Sequence, residues 1–324
     1  MRPLFKIVPD NTNIDFMRWR LPAIVFSALL VLGSLTAIFV QGFNWGVDFV
    51  GGKSFHVVLE EPVPIDQLRA RVDSLNLGDA TIQEFGAPNE FSVRLPLPPG
   101  DDSQSSAQVE QVRAAIVAAY PGARLDSVET VSGKVSQELA TDGALALLIA
   151  MLGISLYIWF RFEWQFGVGA LVSLVHDLII TLGFFAVTQI EFSLNAVAAL
   201  LTLIGYSLND TVVVYDRIRE NLRKYRKMEI EPLLNLSVNE TLSRTVATNG
   251  AVLLAVIGMV IIGPPSIFAL TAGILFGVVI GTYSSIYVAR FLLVPLGVGP
   301  DSFIPLEEDG KPKKAIDENA GAVV

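Results

Sequence analysis

The chain has 324 residues, 52% of them hydrophobic and only 17% charged, with a mean hydropathy of +0.53. That balance excludes an ordinary soluble domain and places much of the chain in lipid. There is no cysteine and there are two histidines, His56 and His176, which excludes a disulfide framework or thiolate metal site and argues against any metal mechanism. The net charge is −9, and residues 42–139 hold 14 acidic against 7 basic side chains, so nothing suggests a nucleic-acid surface.

In chain order, residues 1–20 form a short basic segment, and Leu21–Val40 is the first apolar run long enough to cross about 30 Å of hydrocarbon. The run is too long for a signal-peptide core and no A-x-A-like site follows, so it reads as an uncleaved anchor within residues 21–41. From 42 to 138 the pattern becomes periodic and predicts an extramembrane β-α-β-β-α-β domain. Ser54–Leu59 is β-rich. Ile65, Leu68, Val72 and Leu75 recur at helical spacing. Thr81–Phe85 is a weaker strand, and Phe91, Val93 and Leu95 alternate with Ser92 and Arg94. After a loop at 96–105, a capping-box pattern at Ser105 and Gln108 opens a second helix that stops at Pro121-Gly122, and Arg124–Val131 closes the unit. This order is ferredoxin-like, with helices on one face of an antiparallel sheet; the other face is expected to be free for a partner or an unfolded polypeptide.

Five further spans are predicted at Leu139–Phe160, Phe166–Val187, Leu194–Tyr215, Val246–Ile262 and Ile267–Phe291, within a bundle covering 139–291 whose loop is 216–245, followed by a tail at 292–324. Lysine and arginine concentrate before span one, near Arg161, between Asp216 and Thr245, and after Arg290, whereas the connections near Glu191 and Pro264 carry none. The positive-inside rule therefore predicts cytoplasmic termini and an extracytoplasmic 42–138 domain. The mixed tail, Glu307–Asp309 followed by Lys311, Lys313 and Lys314, is expected to be solvated.

Ionisable groups at membrane depth cost several kcal/mol unless paired or hydrated, so each is a functional candidate. Span four places Thr202, Tyr206, Asn209 and Asp210 on a face turning polar toward the cytoplasmic end, and span five opens with Arg244, Thr245, Thr248 and Asn249 from the same side. An arginine beside Asp210 would hold it ionised; withdrawing it would favour the protonated acid, and alternating the two would move a proton. A static Asp210–Arg244 pair gluing two helices is the alternative. Span three carries Ser173, His176, Asp177 and Thr181 at helical spacing, which suits either a proton relay or an interhelical hydrogen-bond cluster. Span six repeats small residues at Gly273, Gly277 and Gly281, a close-packing pattern.

Two strings carry a resemblance. Trp45-Gly46-Val47-Asp48-Phe49-Val50-Gly51-Gly52 looks like the G-x-D-F-x-G-G signature of the SecD/SecF family of export subunits, on Gly46, Asp48, Gly51 and Gly52. Gly205-Tyr206-Ser207-Leu208-Asn209-Asp210-Thr211, continuing through Asp216-Arg217-Ile218-Arg219-Glu220-Asn221, closely resembles the fourth span and following loop of the family's SecF branch. The likeness extends over essentially the whole chain, including the Ser243-Arg244-Thr245 opening of span five. It departs at Val131-Ser132-Gly133-Lys134-Val135, where a G-P-x-V motif is expected and the proline is missing.

The resemblance implies a membrane all-α six-helix bundle, half of a transporter of the resistance-nodulation-division type, with one extracytoplasmic α+β ferredoxin-like domain. It implies no enzyme and no cofactor, the proton gradient being the energy source. It also implies a multi-pass protein of the bacterial inner membrane with its domain in the periplasm, working with SecD as second half, the SecYEG channel and the translocating preprotein, with YajC and YidC as further candidate partners. By position Asp210 and Arg244 match the family's proton-pathway residues, with Asn209 beside them and Tyr206, Thr248, His176 and Asp177 as a supporting polar cluster. A proton-coupled exporter of small solutes or lipids, and a non-conducting scaffold of the translocon, are the competing readings.

Overall fold

The computed structural model describes residues 9, 12–75, 77–78, 80–85, 87–96 and 102–299. The tail residues from Glu307 to Lys314 lie outside them. After a 3₁₀ turn at Met17–Trp19, helix α1 (Arg20–Val40) leads to a four-residue helix, α2 (Val47–Val50). The domain follows as β1 (Gly52–Val58), α3 (Ile65–Asp73), β2 (Thr81–Phe85), β3 (Ala87–Leu95), α4 (Asp102–Ala119) and β4 (Arg124–Val131). The bundle is completed by α5 (Gly133–Arg161), α6 (Trp164–Thr188), α7 (Leu194–Lys224), α8 (Ile230–Ile262), α9 (Phe268–Ile286) and the short α10 (Val288–Phe291). Among the described residues six helical stretches are long and apolar enough to span a membrane.

The four strands are antiparallel in the order β2-β3-β1-β4, the split β-α-β arrangement that the sequence predicts. One face carries Phe55, Val57, Phe91 and Val93, which pack on Leu68 and Val72 of α3 and Val112 and Ile116 of α4. The opposite face is not free, as the sequence led one to expect. Its central residues Ser92 and Arg94 are buried, because the Arg94 guanidinium finds its acceptors, the carbonyl of Trp45 and Oδ1 of Asn44, in the segment leaving the membrane. Helix α4 starts at Asp102, three residues before the predicted cap, so Ser105 lies inside the helix; Asp102 and Ser103 are themselves residue types that favour a helix start.

Helices α6, α7 and α9 form the buried middle of the bundle, while α1, α5 and α8 turn Leu29, Leu32, Leu148, Leu152, Leu254 and Ile261 outward. In lipid such outward leucines cost nothing, so close packing and polar contacts hold the helices together instead. The residues predicted as a loop at 216–245 are helical except for 225–229. Leu222, Leu233, Leu234 and Val238 recur at helical spacing and pack under Phe16 and Met17, and Asn221 donates across the hairpin to Ser237 Oγ at 3.0 Å and Glu240 Oε2 at 2.7 Å. Charges on the other side of these helices lower the local hydropathy, which is why a hydropathy reading ends the spans early.

The glycines of α9 set the central contact. A Cβ on Gly273, Gly277 or Gly281 would lie 2.8 Å from Ala199 Cβ, 2.9 Å from Leu203 Cδ1 or 3.1 Å from Ser207 Cβ, three positions one turn apart on α7. Gly277→Leu should therefore force α9 off α7 and cost about 1–3 kcal/mol of overpacking. Thermal unfolding in detergent micelles checks this: a lowered midpoint is expected, while Gly153→Leu, with nothing within 4 Å of its Cβ position, should leave the midpoint unchanged or raised.

Candidate functional site

Among the described residues two carboxylates are buried within the bundle, and the α7–α9 contact brings a hydroxyl-rich surface to both. Asp210 on α7 is 4% exposed. It accepts a hydrogen bond from Asn249 Nδ2 of α8 at 2.6 Å, and the same amide group donates to Thr282 Oγ1 of α9 at 2.5 Å. Asn249 is held in that orientation by Tyr206, whose hydroxyl donates to Asn249 Oδ1 at 2.8 Å. Because Tyr206 occupies the amide oxygen, the amide nitrogen is what Asp210 meets, and the facing oxygen of Asp210 is kept as an acceptor.

Arg244 is not part of this contact. It is exposed, and among the described residues no ion pair joins it to Asp210, which removes the static helix-gluing pair as a description of this state. The reason is helical phase: Arg244 and Asn249 are five residues apart and so about 140° apart around α8. Asn209, next to Asp210, is likewise turned about 100° away and exposed. Thr248 is exposed too, its hydroxyl donating to the Arg244 carbonyl at 3.0 Å. Of the predicted polar residues the structure thus joins Asp210 and Tyr206, with Thr248 at the edge through a second contact of its hydroxyl, 3.4 Å from Asn249 Oδ1, while Asn249 and Thr282 complete the cluster. Asn249 was visible on the polar stripe of span five, but only the fold reveals it as the hub.

Asp177 is fully buried and accepts from Ser207 Oγ of α7 at 2.5 Å and Ser284 Oγ of α9 at 2.7 Å, with His176 Nδ1 2.9 Å from its other oxygen. Ser207 and Asp210 are one turn apart, so the two carboxylate clusters share α7 and adjoin through it.

The third polar site lies where the domain meets the bundle. Gly51 and Gly52 adopt φ of +72° and +130°, and a Cβ on Gly52 would lie 2.7 Å from the Leu95 carbonyl, so the chain turns into β1 only with glycine there. The segment 44–46 pairs with the α6–α7 connection: Gly46 N donates to the Phe192 carbonyl at 2.9 Å and Phe192 N to the Asn44 carbonyl at 2.7 Å. Two carboxylates then cap helices across the junction. Asp48 Oδ2 accepts from Leu194 N, the first residue of α7, at 2.8 Å, and the Glu191 side chain sits beside Gly46, at the head of α2. Where the proline of the pre-span motif is missing, Ser132 caps α5 by accepting from Val135 N at 3.4 Å. A cleft of about 260 Å³ remains between sheet and bundle, lined by Asp48, His56, Ser92, Glu129, Glu191 and Ser193 among others.

A family model for the C-terminal region of protein export membrane proteins SecD/SecF matches residues 111–298, more than half of the chain, and the SecD/SecF GG motif model matches residues 36–52. The chain belongs to the SecD/SecF family. Among its SecD/SecF relatives, protein translocase subunit SecF of Vibrio alginolyticus is 41% identical over 95% of this chain and 98% of its own length. The SecF subunit of Cereibacter sphaeroides is 42% identical over 98% and 96%. The crystal structure of SecDF from Thermus thermophilus, a translocon-associated membrane protein, superposes with a TM-score of 0.81 at 33% identity; it covers 91% of this chain, which spans 40% of the SecDF chain. In SecD/SecF terms, the GG motif is the junction just described: its aspartate caps α7 and its glycines start the sheet.

Burial raises Glu191 above the ordinary glutamate value of 4.5; the Arg94 charge opposes this, and Glu129 and Asp48 reinforce it. Glu129 is raised by burial and then by Asp48. A carboxyl that titrates higher in the closed junction than in an open, hydrated one binds protons preferentially when closed. Closure therefore strengthens as pH falls below neutrality toward the raised values and weakens as pH rises through them. Protection factors of the amides at 44–48 and 189–193, taken relative to the base-catalysed intrinsic exchange rate at each pH, should rise on acidification, and Glu191→Gln should remove most of that rise.

Proposed function

We propose that this protein is the SecF-type subunit of a bacterial inner-membrane translocase, with both termini cytoplasmic and its α+β domain in the periplasm. It works with a SecD-type half at the SecYEG channel, with YajC and YidC as accessory partners, and uses the proton-motive force to help complete preprotein translocation. The observation that carries this reading is the buried Asp210 carboxylate, held by one amide rather than by a cation. A carboxylate so placed is costly to keep charged, so its protonation can follow the approach or departure of a positive group. Arg244, exposed one turn from the polar stripe of α8, is that group.

Support for a second half comes from two sides. The match to SecDF occupies 40% of that longer chain. Asn209 and Arg244, flanked by Thr202, Gly205 and Thr248, form an exposed strip on α7 and α8 at membrane depth; the two threonine hydroxyls donate to the carbonyls of Ala198 and Arg244, but bare lipid would leave the Asn209 amide and the Arg244 guanidinium without hydration. A second bundle seated over that strip would enclose Asp210 and place Arg244 in the shared interior.

Asp210→Asn keeps the volume and the Asn249 contact but removes the titrating charge. The variant should assemble with its partner at wild-type level and lose the proton-gradient-dependent part of export, tenfold or more, in inverted membrane vesicles; Arg244→Met should do the same. Full gradient-dependent export by both would leave the scaffold reading in its place.

A further inference from the structure

Three side chains on the far side of α6 and α9 from Asn249 are buried without protein partners for the atoms in question. Ser173 is 1% exposed, His176 6% and Arg290 0%; among the described residues Ser173 Oγ, His176 Nε2 and all three guanidinium nitrogens of Arg290 find no hydrogen-bond partner. One such atom is an ordinary defect. A guanidinium with five donors and no acceptor costs several kcal/mol if dry, and three unpartnered groups in succession point to bound water.

The three are aligned. Ser173, His176 and Asp177 stand at i, i+3 and i+4 on one face of α6. The His176 ring lies 6.3 Å from that of Tyr283, Tyr283 lies 5.3 Å from Tyr287, and Tyr287 lies 5.6 Å from Phe291. The Arg290 guanidinium ends this column, 5.0 Å from the Phe291 ring and 5.5 Å from Phe16. A Cβ on Gly169 would be 2.9 Å from the Ala289 carbonyl, so α10 lies against the turn of α6 just below Ser173, and Ser173 falls between His176 and Arg290. Past Phe16 and Met17 opens a cleft of about 510 Å³ lined by Asp15, Met17, Arg18, Arg20, Glu231 and Asn235 among others.

We propose that a file of bound water runs from His176 Nε2 past Ser173 Oγ to Arg290, and forms a second proton branch linking Asp177 to the cleft beside the N-terminal segment. The branch rests on the proton-coupled reading above. At its inner end Asp177 is bound to Ser207, one turn from Asp210, so the file adjoins the main carboxylate. His176 Nδ1, facing Asp177, leaves Nε2 to accept from the first water. Arg290, which stays charged and only donates, orients the last waters with their oxygens toward its own end of the file and their hydrogens toward Ser173 and His176, and is a positioning residue rather than a proton carrier.

The test is proton flux into proteoliposomes carrying the chain with its SecD-type partner, read by an internal pH dye. Ser173→Val, which replaces the hydroxyl by methyl groups, should lower flux tenfold or more with complex yield unchanged; Arg290→Met should do likewise, and Arg290→Lys should recover most of it. Wild-type flux in both Ser173→Val and Arg290→Met overturns the branch, whatever Asp210→Asn does. Full flux in Asp210→Asn with loss in Ser173→Val would retain the branch and bring down the Asp210 reading instead. Should Arg290→Met fail to assemble, X-ray hydroxyl-radical footprinting of the unaltered complex decides: oxidation of His176 well above that of the fully buried Phe185 supports the water file, and equal protection overturns it.

Discussion

A charge inside lipid has no water to turn to, so the bundle must supply each of its hydrogen bonds from within. Asp210 and Asp177 impose that demand, and the packing of α6, α7, α8 and α9 follows from meeting it. The glycines of α9 let Ser207 and Thr282 come close enough to serve; Tyr206 sets the orientation of Asn249; Ser284 closes the shell of Asp177. Bulk at Gly277 and charge removal at Asp210 are therefore related perturbations, the first spoiling the geometry that makes the second matter.

The same helix that carries Asp210 is fastened at its other end to the extramembrane domain. Asp48 caps the first residue of α7, and Asp210 follows 16 residues later, about 24 Å along the axis. A rigid helix joins the two, so a tilt of α7 accompanying protonation of Asp210 would be felt at the GG motif, and strain at the junction would be felt at Asp210. Glu191 and Glu129 add a local acid response at that junction, in a cleft that faces the sheet.

The fold was legible in the sequence where a single physical signal dominated. Runs of about 20 apolar residues mark the spans and alternation marks β3, whereas β2 is a weaker signal and β4 reads only as a last extended segment. The helical hairpin at 216–245 was missed because two signals conflict there: charge lowers hydropathy while Leu222, Leu233 and Leu234 keep a helical period. Helices packed on one side of the sheet suggest a free second face, and the structure differs because Arg94 on that face finds its acceptors in a segment 49 residues away. At the site, Asp210 and Tyr206 could be read from spacing on one helix. Asn249 as hub, Thr282 beside it, and the phase that turns Arg244 away all depend on how α7, α8 and α9 are rotated against one another, which no single segment encodes.

Central to the account is that Asp210 changes its protonation while remaining inside the bundle. Infrared difference spectroscopy of the reconstituted complex, cycled between acid and alkaline pH, reads this directly. A protonated-carboxyl C=O band should appear on acidification, shift in deuterium oxide and be absent from Asp210→Asn. A difference spectrum that is the same in the unaltered protein and in Asp210→Asn would contradict it.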